Sequence, residues 1–205
     1  EGRVLNIIEK SAIENNHSPC IHHEICGGCS YQTIDYDNQI SIKNAQLKEL
    51  LLNATDESFE WEGVIPSPKY NAYRNKMEFS FGDEKKDGEL ALGMHKKGSR
   101  YDIVNVTDCK IVDSDFTKIL GLTLDFFKSR GTDYFHKNTH TGFLRHLLIR
   151  RSEYTKELLI CLVTTSSFFF VEDPNSLIDK SEMGKAEIEL VMEWCSFIRD
   201  ETAKA

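Results

Sequence analysis

Alternating hydrophobic and polar positions predict two β-hairpins in this chain. The clearest alternation covers residues 73–81, where apolar and polar side chains take opposite faces of a strand. A polar turn follows and the period resumes at Leu90, so residues 73–95 are predicted to form a hairpin. Residues 144–151 and 157–165 predict a second hairpin. Its second strand is apolar on both sides and is expected at the centre of a sheet.

Apolar residues at helical spacing predict three helices, at about 35–53, 114–129 and 185–200, with Ser114 as a candidate N-cap of the second. Shorter alternations predict further strands at 3–9, 58–65 and 103–106. Helices that follow groups of hairpin-connected strands are typical of an α+β fold. We therefore expect a mostly antiparallel sheet built from hairpins and flanked by helices.

The composition fits a globular protein outside the membrane. Of 205 residues, 40% are hydrophobic and 28% are charged. No apolar run approaches the roughly 20 residues that a membrane span needs. The chain opens Glu1-Gly2-Arg3, without an initiator Met or a signal segment, so we expect a piece of a longer cytoplasmic protein.

Charge is distributed unevenly along the chain. The net charge is −8, yet residues 69–100 carry eight Lys or Arg against five Asp or Glu, and residues 128–156 carry seven against two. Two basic segments in an acidic chain are compatible with nucleic-acid binding, although charge by itself favours an ordinary solvated face. Charge alone leaves both interpretations open.

The cysteines suggest a metal site. Cys20, Cys26 and Cys29 lie in a predicted loop, and Cys109 follows a predicted strand. Clustered loop cysteines in a cytoplasmic chain favour metal binding over disulfides, but their spacing does not separate zinc from iron-sulfur. The Gly27-Gly28 pair lets backbone amides approach a cluster closely. The nearby histidines, His17, His22 and His23, are expected to be exposed, and the two other cysteines, Cys161 and Cys195, are expected in the core.

Four ordered motifs resemble the bacterial 23S ribosomal RNA uracil-5 methyltransferases. They are Cys20-x5-Cys26-Gly27-Gly28-Cys29-Ser30-Tyr31-Gln32, YRNKMEF at 73–79, LGMH at 92–95 leading to Asp108-Cys109, and LRHL at 144–147. The resemblance implies a 4Fe-4S cluster on Cys20, Cys26, Cys29 and Cys109. It also implies that residues 1–16 end a truncated TRAM-like barrel, 17–184 form an iron-sulfur and RNA-binding central domain, and 185–205 lead to an absent S-adenosylmethionine-binding domain.

The resemblance further implies an S-adenosylmethionine-dependent RNA methyltransferase that acts on ribosomal RNA, with no obligate protein partner. Neither Cys161 nor Cys195 stands in the family's nucleophile motif, and no strand with a Gly-rich turn offers a cofactor site, so this chain alone is expected to be inactive. With four cysteine ligands the cluster would be structural. The basic residues expected to contact RNA are Arg74, Lys76, Lys96, Lys97, Arg100, Arg145, Arg150 and Arg151.

Two alternatives keep part of this interpretation. A zinc-binding nucleic-acid-recognition module would have the same fold with zinc on the four cysteines. An electron-transfer iron-sulfur protein would need an exposed cluster edge and a reversible redox couple.

Overall fold

The computed structural model describes residues 5–14, 17–165 and 180–203, and these residues form an α+β fold as expected. In chain order the elements are α1 Tyr36–Ala54, β1 Lys76–Asp83, β2 Leu90–His95, β3 Ile103–Asn105, α2 Ser114–Ser129, β4 Leu144–Arg151, β5 Leu158–Thr164 and α3 Lys180–Ala203. None of these helices, within the described part of the chain, has an apolar stretch long enough to cross a membrane.

The five strands form one sheet in the order β3-β2-β1-β4-β5, and every neighbouring pair is antiparallel. Both predicted hairpins are present. The central strand is β1, whose pairing with β4 sets Lys76 opposite Arg150 and Ser80 opposite His146. The two basic segments of the sequence therefore meet in the middle of the sheet.

The prediction that the second strand of the later hairpin is central was wrong, because β5 is an edge strand that pairs with β4. One face of β5 carries half-buried residues that pack against the core, including Ile160 and Leu162. The other face leaves Leu159 61% exposed. An apolar strand with one exposed face is a surface that further protein could cover.

The hydrophobic core lies between one face of the sheet and the helices α2 and α3. Phe79 of β1 and Leu147 of β4 face each other across the strands and are fully buried. Trp194 of α3 stacks on Phe127 of α2 and donates an indole N–H hydrogen bond to Thr123 Oγ1 at 3.3 Å. This contact satisfies both buried polar groups and fixes α3 on α2. The opposite side of the sheet carries neither helix, and we call it the open face.

Helix α1 follows the predicted span but stands apart from the core. Asp35 is its N-cap and accepts from the Asn38 backbone N–H at 2.9 Å. None of its described residues is buried, and the leucines expected to face inward, at positions 47, 50 and 51, are 43–64% exposed. Its apolar stripe therefore faces outward rather than into the core.

Two predicted strands are absent from the described residues. Residues 5–9 and 58–65 form no strand, and residues 3 and 4 lie outside the described part. The second segment instead contacts α1, where the Trp61 indole N–H donates to Asn44 Oδ1 at 3.1 Å. Just after this segment, Tyr70 stacks on Tyr36 of the same helix.

Candidate cysteine site and nucleic-acid interface

The cysteine loop is held against the C-terminal end of β2 by backbone hydrogen bonds. Gly27 N–H donates to the His95 carbonyl at 2.9 Å, and Lys97 N–H donates to the Ile25 carbonyl at 2.8 Å. Cys26 and Lys96 form an antiparallel bridge between these two bonds. A Cβ atom at Gly27 would lie 3.0 Å from the His95 carbonyl oxygen, so the glycine permits this close approach.

The four predicted ligands come together. A cavity of about 70 Å³ is lined by Cys20, Cys26, Cys29 and Cys109, although the last is remote from the others in sequence. Cys20 Sγ lies 3.8 Å from the carbonyl oxygen of Asp108, the residue before Cys109. The fold thus joins the N-terminal loop to the segment after β3 at one point.

These thiols are partly buried, and they lie close enough together to affect one another's pKa. Burial raises the pKa of Cys26 and of Cys109, and the neighbouring thiols Cys29 and Cys20 raise both further. Gly28 N–H donates to Cys26 Sγ at 3.4 Å and opposes this rise. The expected approach of the Gly27-Gly28 amides to the sulfides of a cluster is a different contact and stays a prediction.

Among the described residues, no group of three or more His, Cys, Asp or Glu side chains is arranged to hold a metal ion. Two nearby histidines nevertheless border the cysteine cavity. His22 and His23 line it and are half-buried, contrary to the expectation of exposed loop histidines, whereas His17 is exposed. His23 Nδ1 is buried without a hydrogen-bond partner in the described structure, and burial lowers the pKa of His23.

The two remaining cysteines differ from each other. Cys195 on α3 is half-buried and packs against the core, close to expectation. Cys161 is exposed, so its predicted core position was wrong. Its strand, β5, alternates between the two sheet faces, and Cys161 pairs with Leu148 on the open face. Cys161 is remote from the cysteine cavity and is useful as a control.

The sheet distributes the predicted RNA-contacting residues over distinct places. Lys76 and Arg150 face each other on the open face. Lys96 and Lys97 lie beside the cysteine loop, and Arg74 lines the cysteine cavity, where its Nε donates to the Lys76 carbonyl at 3.2 Å. A second, larger cavity on the open face is bordered by Arg100 and Arg145.

Arg151 is directed differently from its neighbour Arg150. It pairs with Leu158 on the core face of the sheet, and its guanidinium binds the Asp113 carboxylate and lies 3.9 Å from Asp115. Asp113 is also the N-cap of α2, one residue before the predicted cap. Since the Arg151 guanidinium is engaged internally, we do not propose it as an RNA contact.

A β-bulge in β4 determines where Arg145 lies. Leu144 pairs with Thr164 and His146 with Val163, so Arg145 is an extra residue without its own partner. The bulge shifts the alternation by one residue, and Arg145 and His146 both border the open-face cavity. The Arg145 guanidinium lies 4.9 Å from the centroid of the Phe135 ring.

The structure adds residues to this cavity that the sequence reasoning did not select. They are His95, Tyr101, Phe135, His136, Lys137 and His146. The run Tyr134-Phe135-His136-Lys137 mixes aromatic and basic side chains, a pattern typical of single-stranded nucleic-acid binding, and would have been the available signal.

The comparisons with known proteins agree with a methyltransferase resemblance. The chain is 44% identical over 166 residues to an uncharacterized RNA methyltransferase of Caldanaerobacter subterraneus, an alignment covering 81% of this chain and 36% of that protein. It is 40% identical over 181 residues to an uncharacterized RNA methyltransferase of Clostridium tetani, covering 88% of this chain and 40% of that protein. No family model matches the chain.

A solved structure shares the fold. The tRNA (uracil-54, C5)-methyltransferase of Pyrococcus abyssi, in complex with S-adenosyl-L-homocysteine, superposes with a TM-score of 0.55 at 23% identity. The match covers 86% of this chain and 36% of that one. The chain thus spans little more than a third of the length of the curated relatives it matches, and it is similar to one portion of proteins named RNA methyltransferases.

Proposed function

We propose that this chain is the iron-sulfur-bearing, RNA-binding portion of an S-adenosylmethionine-dependent RNA uracil-C5 methyltransferase. The observation that carries the proposal is the convergence of four cysteines, three from one loop and one from beyond β3, on one cavity. The relatives named RNA methyltransferases support the class of enzyme.

Four cysteines suit either a 4Fe-4S cluster or a single zinc ion, and the resemblance to the rRNA uracil-5 methyltransferases favours the cluster. A cluster takes one cysteine per iron, so its ligands surround a cavity. Cys20, Cys26, Cys29 and Cys109 would each bind one iron, and the cluster would join the N-terminal loop to the sheet.

Anaerobic purification with iron and sulfide analysis tests this assignment. We expect about four iron and four sulfide per chain and a brown chromophore. Cys109→Ser should lose the chromophore, whereas Cys161→Ser is the matched control and should keep it, because Cys161 is exposed on β5. Stoichiometric zinc in iron-replete protein would refute the cluster, and equal loss of the chromophore in both variants would refute the assignment of its ligands. A reversible redox couple of the bound cluster would favour electron transfer instead.

RNA binding is assigned to the open face of the sheet. Lys76 and Arg150 come from the two basic segments and stand opposite each other. Both side chains are exposed, and neither belongs to an ion pair found among the described residues. Arg100 and Arg145, which border the open-face cavity, would contact phosphates with them. The other predicted cations, Arg74, Lys96 and Lys97, lie at the cysteine site and would extend the RNA contact there.

Fluorescence anisotropy with uracil-containing RNA loops, at several salt concentrations, tests this surface. Lys76→Ala with Arg150→Ala should weaken binding and reduce the salt slope by about 0.7 for each phosphate that is no longer neutralised. The control removes two cations from the helix layer, Lys118→Ala with Lys128→Ala, and should bind as the unaltered chain does. Equal effects in the two pairs would refute the open-face assignment. Ribosomal RNA is our proposed substrate, and a preference for tRNA in the same assay would exclude it.

Catalysis is proposed to need the rest of the enzyme. The described sheet is wholly antiparallel, whereas nucleotide cofactors typically bind at the strand ends of doubly wound parallel sheets. In this proposal residues 1–16 are the end of a truncated TRAM-like barrel, and 185–205 lead to the cofactor-binding domain. We expect calorimetry to detect no saturable S-adenosylmethionine binding to this chain, and micromolar affinity would contradict that expectation.

A further inference from the structure

A cavity of about 440 Å³ lies on the open face of the sheet, within the size range of small-ligand sites. Its floor includes Ser80 and Gly82 of β1 and Ile103 of β3. A Cβ atom at Gly82 would lie 2.5 Å from Ile103 Cγ1. The glycine therefore lets Ile103 lie flat across β1, where it is 1% exposed. The strands are therefore tightly packed at the bottom of the cavity.

Aromatic and planar side chains stand around this floor. Tyr101 is 62% exposed and borders the cavity from the β2–β3 connection. On the other side Phe135 carries the Arg145 guanidinium over its ring, and His136 lies against Tyr134 with ring centroids 4.1 Å apart. Planar groups that are already stacked or exposed lose little conformational freedom when a base stacks on them.

The charged groups at the cavity are of both signs. Lys86, Arg100, Lys137 and Arg145 border it together with Asp83, Asp87 and Asp102. Of the carboxylates, Asp83 is nearly buried and lies close enough to Tyr134 to raise the pKa of that phenol. Cations suit a phosphate, and carboxylates accept hydrogen bonds from a base N–H or a ribose 2′-hydroxyl.

The geometry points to a binding site for one unstacked nucleotide of single-stranded RNA in this cavity, with its base against Tyr101 and its phosphate between Arg100 and Arg145. This inference rests on the proposed function and narrows it from a charged face to a pocket. The β4 bulge shapes this pocket, because it brings Arg145 and His146 to the same side of the sheet. Uniform alternation would have sent one of them into the core.

Binding of a uridine-rich single-stranded RNA to the 205-residue chain tests the pocket. Arg100→Ala should lower affinity and reduce the salt slope by about 0.7. Tyr101→Ala should lower affinity at least about fivefold with an unchanged slope, because stacking on a tyrosine releases no counterion. The matched controls are Lys156→Ala and Tyr154→Ala, which remove a cation and a 96% exposed tyrosine in the β4–β5 turn. Neither control residue borders the cavity, so both should leave affinity and slope unchanged.

Photocrosslinking with 5-bromouridine gives a readout that does not depend on affinity, and we expect the crosslink within residues 99–102 or 134–137. Normal binding by Tyr101→Ala, or crosslinks only elsewhere, would overturn the pocket. If the pocket is overturned but the double variant Lys76→Ala with Arg150→Ala still weakens RNA binding, the proposed function stands without the pocket. Absence of any salt-dependent RNA binding by the unaltered chain would overturn both.

Discussion

The ion pair between Arg151 and Asp113 offers a direct test of which basic residues stabilise the fold. The Arg151 side chain is 21% exposed and the Asp113 side chain 30%. Asp113 has two roles, since its Oδ1 accepts from the Asp115 N–H at 3.2 Å as the N-cap while Oδ2 binds Arg151. Substitutions at Asp113 must therefore separate the cap from the charge.

The expected magnitudes follow from these exposures. Losing an N-cap costs about 1 kcal/mol. An unpaired charge in a fully buried site costs about 3–5 kcal/mol, and an exposed pair contributes at most about 1, so this half-buried pair falls between them at about 1–2 kcal/mol. Asp113→Ala should then lower the free energy of unfolding by about 2–3 kcal/mol. Asp113→Asn keeps a good cap and should cost only about 1–2 kcal/mol.

A double-mutant cycle with Asp113→Asn and Arg151→Met, measured by urea denaturation, isolates the pair. We expect a coupling energy of about 1 kcal/mol or more and, for Asp113→Ala, a Tm lower by about 4–10 °C. Arg151→Met should bind RNA normally at a temperature where the variant is folded. A coupling of about 0.3 kcal/mol or less, with RNA binding abolished, would refute this reasoning and return Arg151 to the RNA-contacting set.

Three further predictions concern stability. Gly142 has φ +95°, and a Cβ atom there would lie 1.9 Å from the Tyr134 carbonyl oxygen. Gly142→Ala should therefore lower the free energy of unfolding, measured with denaturant, by at least about 2 kcal/mol. The control Gly131→Ala should cost about 1 kcal/mol, because a Cβ atom at Gly131 would have no neighbour within 4 Å. Trp194→Ala should cost about 3–5 kcal/mol and Trp194→Phe clearly less, by the same measurement. Burial and the Asp83 carboxylate raise the pKa of Tyr134 to about 12 from 10.0, which favours the neutral phenol in the folded state. Its stabilising contribution is present below pH 10 and is lost as pH rises to about 12, so unfolding of Tyr134→Phe should depend less on pH in that window.

The core-facing half of the fold could be predicted because burial leaves a period in the sequence. Met77, Phe79 and Phe81 alternate with polar residues, and all three are buried as expected. The same signal wrongly predicted a central position for β5, because the sequence does not distinguish an apolar residue on the uncovered face from one in the core. Leu159 is an apolar residue of the type found in central strands, yet it lies exposed on an edge strand.

The opposite directions of the Arg150 and Arg151 side chains could have been predicted from the alternation along β4. Leu147 and Ile149 are buried, and a period of two places Arg151 on their side of the sheet. Charge counting treats the two arginines as equivalent, but the pleat directs one to solvent and the other to the α2 N-terminus. Period therefore predicts the role of a strand cation better than local charge does.

The end of β2 shows why the two candidate sites could not be seen as neighbours from the sequence. The carbonyl of His95 accepts from Gly27 in the cysteine loop, while its side chain borders the open-face cavity. The next residue, Lys96, bridges to Cys26 on one side and donates its N–H to the Asp102 carbonyl on the other. Backbone pairing of this kind has no residue-type signature, so only the folded chain reveals it. The end of β2 therefore supports the cysteine loop with its backbone and borders the open-face cavity with the His95 side chain.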